Sequence, residues 1–318
     1  MDVADIISEF GAYYQNNGQN TARIYQMLRA NTVTETLFTP IVTDETLWRA
    51  SQAIQKRLLQ PFQKAFTPID GAEFSPIAIE MFKMKVDDSQ YPDDLEASWL
   101  GFLAGSQVDR KEWPFVRWYM ENVLIPQTKE DEELNEIFWG VQANPTPTVA
   151  GAIGTAMNGI NKIIMDFQDT DSVTTIATGA LAANPDDFCQ QIEKFADGIN
   201  KKYWRTPMQL AMSESNARAY ARGYDLIYGK NTNSAGKNDT EVSKTNLTVI
   251  GLPSMVGSDG IWCTPKANAV KLLKRTENMN NFKVENVDRQ VKFFTDYSTG
   301  IGFVIPAAVF VNDQFAAE

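Results

Sequence analysis

The residues in this 318-residue chain that could do chemistry are few, and histidine is not among them. Its absence removes the commonest general base, the commonest metal ligand and the usual partner of a serine or cysteine nucleophile. Two cysteines, several short acidic runs and a set of spaced glycines remain. Cys189 and Cys263 stand far apart, without zinc spacing and without a neighbouring base, which predicts two reduced thiols buried as small hydrophobes. The acidic runs are Asp87-Asp88, Asp93-Asp94, Glu130 to Glu133, and Asp169-Thr170-Asp171. A carboxylate pair could hydrolyse a glycoside. Adjacent residues on a helix point in different directions, so these runs read instead as dipole complements and solvated faces. The Asp169 to Ser172 loop lacks the remaining ligands of a calcium loop.

Gly151, Gly154 and Gly159 do not fit a dinucleotide fingerprint, because prolines precede them where a strand should. Gly229-Lys230-Asn231 and Gly236-Lys237-Asn238 lack the hydroxyl that a phosphate loop places on magnesium. All of these glycines read as turns or close packing. The aromatic run from Trp113 to Tyr119 could stack bases. In a chain of net charge −11 and at helical spacing it reads as core or subunit contact. No catalytic, cofactor-binding or metal-binding residue is assigned, and the chain reads as a non-enzyme.

Composition is 43% hydrophobic and 22% charged, enough apolar material for one or two packed domains. The acidic start Met1-Asp2-Val3-Ala4-Asp5 is unlike a signal peptide, and no apolar run is long enough to span a bilayer. The expectation is a soluble, cytosolic chain with no membrane partner.

Spacing predicts an amphipathic helix within Asp2 to Gln26 and another from Asp44 to about Gln60, with Leu47, Trp48, Ile54 and Leu58 on one side. Alternation from Ile77 to Val86 predicts one or two strands in a projecting loop. Helices follow from Asp93 and from Trp113, the latter interrupted at Pro126. An acid-led helix then resumes from Lys129 to Trp139. A domain boundary is placed near Asn144 to Thr148. The clearest helix has Asn184 as cap, Pro185 in its first turn, and Phe188, Ile192, Phe195 and Ile199 as its stripe. Trp204 to Met212 reads as a strand that Pro207 puts near an edge. Ser213 then caps a helix burying Ala217, Tyr220, Tyr224 and Ile227. Lys230 to Lys244 is a polar loop. Short strands close the chain at Thr248 to Leu252, Gly260 to Cys263, Ala269 to Leu273, Asn286 to Asp296 and Gly302 to Phe310.

Three stretches, in order, resemble the major capsid proteins of tailed bacteriophages, of the Hong Kong 97 type, whose fold also builds encapsulin shells. Glu132-Glu133-Leu134-Asn135-Glu136-Ile137-Phe138-Trp139-Gly140 resembles the end of that family's long spine helix. Asn184 to Gly229, with Pro207-Met208-Gln209-Leu210-Ala211-Met212-Ser213 at its centre, resembles the helix–strand–helix of the axial domain. Val249-Ile250-Gly251-Leu252-Pro253-Ser254-Met255, then Val291 to Phe294 and Gly302 to Phe310, resemble a Gly-x-Pro segment and the closing strands.

The resemblance implies an α+β chain with an N-terminal arm (1–65), an extended loop (66–92), a peripheral domain with the spine helix (93–145, completed by 274–312) and an axial domain (146–273). It implies a structural subunit of an icosahedral virion capsid. Such a subunit is assembled in the host bacterial cytoplasm into pentamers and hexamers that enclose DNA without tight binding. Scaffolding, portal and other head proteins would be its partners. The break at Pro126 departs from the family's continuous helix. The lack of a long charged N-terminal segment implies a separate or removed scaffolding part. Some members cross-link lysine to asparagine, and Lys83 or Lys85 would sit in the right loop, but the chain shows no partner for either. Alternatives are an encapsulin-like cargo shell, a histidine-independent carboxylate hydrolase, and a tail or baseplate protein.

Overall fold

The computed structural model describes residues 32–54, 59–67, 69, 73–106, 118–229, 240–275, 283–287 and 290–315. The helix expected within Asp2 to Gln26, the start of the one expected from Trp113, and most of the polar loop from Lys230 lie outside them. A 3-10 turn (Thr34–Leu37) leads to strands β1 (Thr39–Thr43), β2 (Leu47–Ile54), β3 (Glu73–Glu80) and β4 (Phe82–Gln90). Helix α1 (Pro92–Ser106) follows, then α2 (Ile125–Asp131) between two π-helical turns, Met120–Leu124 and Glu132–Glu136. Next come α3 (Ile160–Asp169), β5 (Thr174–Ile176), α4 (Pro185–Gly198), β6 (Met208–Ser213), α5 (Glu214–Tyr228) and β7 (Thr240–Glu241). The chain ends with β8 (Leu247–Leu252), β9 (Trp262–Pro265), β10 (Ala269–Lys274), β11 (Lys283–Val287), β12 (Gln290–Phe303) and β13 (Phe310–Asn312).

The chain divides into two compact units. One includes Lys83–Leu134 and Glu277–Tyr297; the other is Val33–Phe82, Asn135–Thr276 and Ser298–Glu318. In the first, Trp99, Phe102, Trp118, Tyr119, Leu124, Val291 and Phe293 form the core. Tyr119 and Phe293 stack with centroids 5.0 Å apart. Hairpin β11–β12 pairs from Lys283↔Phe294 to Val287↔Gln290.

The second unit is built on a six-stranded sheet of order β5-β13-β9-β6-β8-β7. Strand β6 runs parallel to β8 from Met208↔Leu247 to Ser213↔Leu252, and antiparallel to β9. Its Leu210, Ala211 and Met212 are fully buried, the continuous apolar run expected of a strand covered on both faces. Pro207 therefore does not mark an edge. It precedes the first ladder residue, where its missing N–H disturbs no pairing. The stripe Phe188, Ile192, Phe195 and Ile199 of α4 packs into this core as its spacing predicts. Asn184 holds the cap position, but its amide donates to Asp187 at 3.4 Å and does not cap the backbone. Ser213 Oγ accepts from Asn216 N at the start of α5, and Gly229, at φ +87°, follows its end. Tyr220 is buried as expected; Ile227 is not, and its neighbours Leu226 and Tyr228 in the last turn of α5 are exposed with it.

Asn312 and Asn268 tie the C-terminal segment in place. Buried Asn312 accepts from Ile261 N at 2.9 Å and donates to Asp259 O at 2.9 Å. Asn268 accepts from Ile305 N at 2.6 Å and donates to Thr264 Oγ1 at 2.8 Å. These turns explain why Gly302 to Phe310 is not one closing strand: β12 ends at Phe303, Pro306–Ala308 forms a 3-10 turn, and β13 begins at Phe310.

Leu47–Ile54 is a strand, not part of a helix from Asp44. It pairs along its whole length with β3, from Leu47↔Glu80 to Ile54↔Glu73. Eight cross-strand positions outweigh the weak helical propensity of this segment. In a sheet of two strands every strand is an edge, so Pro76 is tolerated opposite Ser51.

The helix does not break at Pro126 either. A proline ring clashes with the carbonyl four residues back. The π turn Met120–Leu124 widens the helix just ahead of Pro126, which then sits in the first turn of α2. No acid-led helix therefore starts at Lys129. Glu132 and Glu133 lie in the final π turn, and both are buried.

Candidate assembly surfaces

The residues weighed for chemistry are dispersed. Asp87 pairs with exposed Lys85 at 2.5 Å, which raises the lysine pKa, and Lys83 pairs with Asp296 at 3.2 Å. Asp88 accepts from the Tyr119 hydroxyl; burial, then this bond, raises the phenol pKa. Trp118 and Tyr119 belong to the core of their unit. Asp171 sits in a turn at φ +50°. Among the described residues no group of acidic and cysteine side chains could hold a metal ion. Both thiols are buried. Burial, with Glu193 nearby, pushes Cys189 up to about 11, and burial alone raises Cys263 further. A thiol so raised is a poor nucleophile at neutral pH.

The motif ending in Gly140 is a structural joint. Helix ends leave carbonyls and N–H groups without intrahelical partners. Here two ends satisfy each other: Ile160 N donates to Ile137 O at 2.9 Å and Asn161 N to Phe138 O at 3.0 Å. The Glu136 carboxylate, at the same end, accepts from Gly154 N and Ala156 N, each at 3.0 Å. The crossing is close enough to demand glycine. A Cβ at Gly140 would lie 2.5 Å from Met157 O, and one at Gly159 would lie 2.5 Å from Phe138 O. Gly154, at φ +76°, makes the turn. Sequence reasoning found these glycines as packing and turn residues but missed the role of Glu136, whose partners lie 18 and 20 residues away.

The surface least suited to an isolated subunit lies between β2 and β3. Leu59, Phe62 and Phe66 are 88%, 92% and 92% exposed. Gln60 Nε2 donates to Thr67 O at 2.6 Å, and Gln63 contacts the Thr67 hydroxyl, so the segment is shaped by its own hydrogen bonds. Phe62, Phe66 and Ile69 are among the residues that line a shallow groove there. Solvent-exposed phenylalanines clustered within a few residues are a signature of a surface that another molecule covers. Further exposed apolar groups are Ile153 at the 141–153 turn and Leu226 near the end of α5. No helix among the described residues is long and apolar enough to cross a membrane.

No protein-family model and no curated protein matches the chain. Solved structures do. A subunit of the procapsid of satellite phage P4, which includes the size-determination protein Sid, matches with a TM-score of 0.58 and 10% identity, over 92% of this chain and 90% of that one. The capsid of a native GTA particle matches at 0.54 and 14% identity, over 91% and 98%. The capsid of Myoviridae phage XM1 matches at 0.50 and 12% identity, over 90% and 92%. At such identities what is shared is the backbone arrangement, and over nine-tenths of its length this chain has the phage major capsid fold.

Proposed function

We propose that this chain is a structural subunit of a phage capsid, without enzymatic activity, which assembles into pentamers and hexamers of an icosahedral shell enclosing DNA. The observation that carries the reading is the pair of almost fully exposed phenylalanines, Phe62 and Phe66, on a chain with the capsid fold. Burying a phenylalanine contributes about 1.5–3 kcal/mol. A subunit that leaves both in water recovers this only in an assembly. We assign the extended-loop role to hairpin β2–β3, whose second strand falls within 66–92, and the axial role to the six-stranded sheet with α4 and α5. The spine role falls to α2 with its π turns, in the peripheral segment 93–145. This assignment takes β2 out of the arm expected over 1–65 and leaves the arm to the residues before Leu47; the completion of the peripheral domain by 274–312 belongs to the same reading. Scaffolding and portal proteins are the proposed partners, with the virion as destination and the host cytoplasm as the place of assembly.

Negative-stain microscopy and sedimentation of the purified chain, alone and with scaffolding partners from the same genome, test this. Closed shells or rings of five and six are expected, and nuclease-protected DNA in particles from infected cells distinguishes a virion from a cargo shell. A clean monomer under every condition sinks the proposal.

A further inference from the structure

The second unit carries a concentration of positive charge that the proposed shell function does not by itself explain. A concavity of about 520 Å³ opens where β6 and β8 begin, between Met208 and Leu247. Lys201, Lys202, Arg205 and Lys244 line it, in a chain of net charge −11. All four are exposed. No described carboxylate lies within ion-pair distance of any of them, although Asp197 shares the wall.

The cations are held on an ordered support. Asn200 Oδ1 accepts from Lys202 N at 3.0 Å, and Trp204 Nε1 donates to Ile199 O at 2.7 Å. Tyr203 packs edge-on against buried Phe310, with centroids 5.4 Å apart. The Lys201 ammonium lies 5.9 Å from the Trp204 ring, and that of Lys202 lies 5.5 Å from the Tyr203 ring. Trp204 is itself 49% exposed. Ordered aromatic and cationic groups with little left to immobilise are what binding surfaces concentrate.

We propose that this pocket receives carboxylates from a second copy of this chain, as one side of a contact between neighbouring subunits. The inference rests on the shell-building function proposed above. Charge decides the occupant. A nucleic acid, a continuous line of phosphates, meets the acidic balance of the chain on both sides of the pocket, whereas a second copy, acidic overall too, can present a few carboxylates at the short range over which an ion pair acts. Helix α4 alone carries Asp186, Asp187 and Glu193 against Lys194, besides the Asp197 that stands on the pocket's own wall. A basic patch meeting an acidic patch elsewhere on an identical chain is a heterologous contact, the kind that closes into rings.

The test compares the wild-type chain with a neutralised variant (Lys201→Gln, Lys202→Gln, Arg205→Gln) and a charge-conserving one (Lys201→Arg, Lys202→Arg). Each is followed by sedimentation and microscopy at low and high salt, with thermal unfolding as the folding control. Exposed ion pairs contribute weakly and are screened by salt. The neutralised variant is expected to need about a tenfold higher concentration to form rings or shells at low salt, the scale of three such pairs. The arginine variant should assemble like wild type, and high salt should erase the difference. If the triple variant fails to fold, Lys244→Gln and Arg205→Gln singly must each show a smaller shift of the same sign. Assembly of the folded neutralised variant at the wild-type concentration and salt response overturns the proposal. If that variant assembles normally but no longer binds a single-stranded oligonucleotide that wild type retains, the pocket is a nucleic-acid site instead. A wild-type chain that never assembles overturns the capsid function itself, and this inference with it.

Discussion

Replacing Phe62 and Phe66 by serine should separate folding from assembly. Both side chains are 92% exposed, so their removal takes no packing from the subunit. Surface changes of this kind alter stability by about 0.5 kcal/mol or less. In an assembly that covers the hairpin tip, each phenylalanine contributes about 1.5–3 kcal/mol, so the pair contributes about 4 kcal/mol per contact. At 1.4 kcal/mol for each factor of ten, the concentration needed for assembly rises about a thousandfold. The assay is a dilution series by sedimentation, with chemical denaturation of the unassembled subunit in parallel. Unchanged denaturation with a thousandfold higher assembly threshold is expected. If the double variant assembles at the wild-type threshold, the tip is not an assembly contact and the reasoning from exposure is wrong.

Glu136→Ala removes two charge-assisted bonds to Gly154 and Ala156 and should destabilise the subunit by about 3 kcal/mol, while Glu136→Gln, which keeps one acceptor, should lose about half of that on denaturant titration. Cys189, with its pKa raised to about 11, should resist a thiol reagent at pH 8 in the native state and react at the model-thiol rate once the chain is unfolded. Asp313 is held at about 2: partial burial pushes its pKa up, but hydrogen bonds from Gln314, Thr178 and Gly179 outweigh it. Its folded pKa lies below the unfolded one, so the stabilisation is present above the ordinary carboxylate value and is lost as pH falls from there towards 2. The carboxylate is exposed, so screening limits the effect to about 1 kcal/mol; Asp313→Asn should remove this part of the acid dependence of thermal unfolding.

What could be read from the sequence was what local order encodes. The stripe of α4, the Ser213 cap and the strands around Gly251 follow from spacings within a few residues, and all appear. The capsid resemblance was carried by the order of such pieces. The failures lie where distant residues decide. Leu47–Ile54 has helical spacing, and only β3, across the hairpin, makes it a strand. The passage through Pro126 depends on a π turn, which shifts the residue period that spacing arguments assume. Glu136 looked like one acid among several until the turn at Gly154 placed two N–H groups before it. The basic pocket was invisible for the same reason: Lys244 meets Lys201, Lys202 and Arg205 only after α5 and the start of β8 have folded. The exposed phenylalanines were legible as residues, but their exposure was not.

The position of β13 bears on how the subunit is made. Among the described residues β5 pairs only with β13, and β1, near residue 40, pairs with β10 more than 200 residues later. At a ribosomal rate of roughly 5–20 residues per second, Phe310 emerges about 7–27 s after Ile176. Through that interval β5 presents an open edge, β9 adds a second once it has emerged, and long-range pairings of this kind form slowly. On a polysome, neighbouring nascent copies carry the same open edges and the same missing strand, so exchange of β13 between copies competes with correct closure.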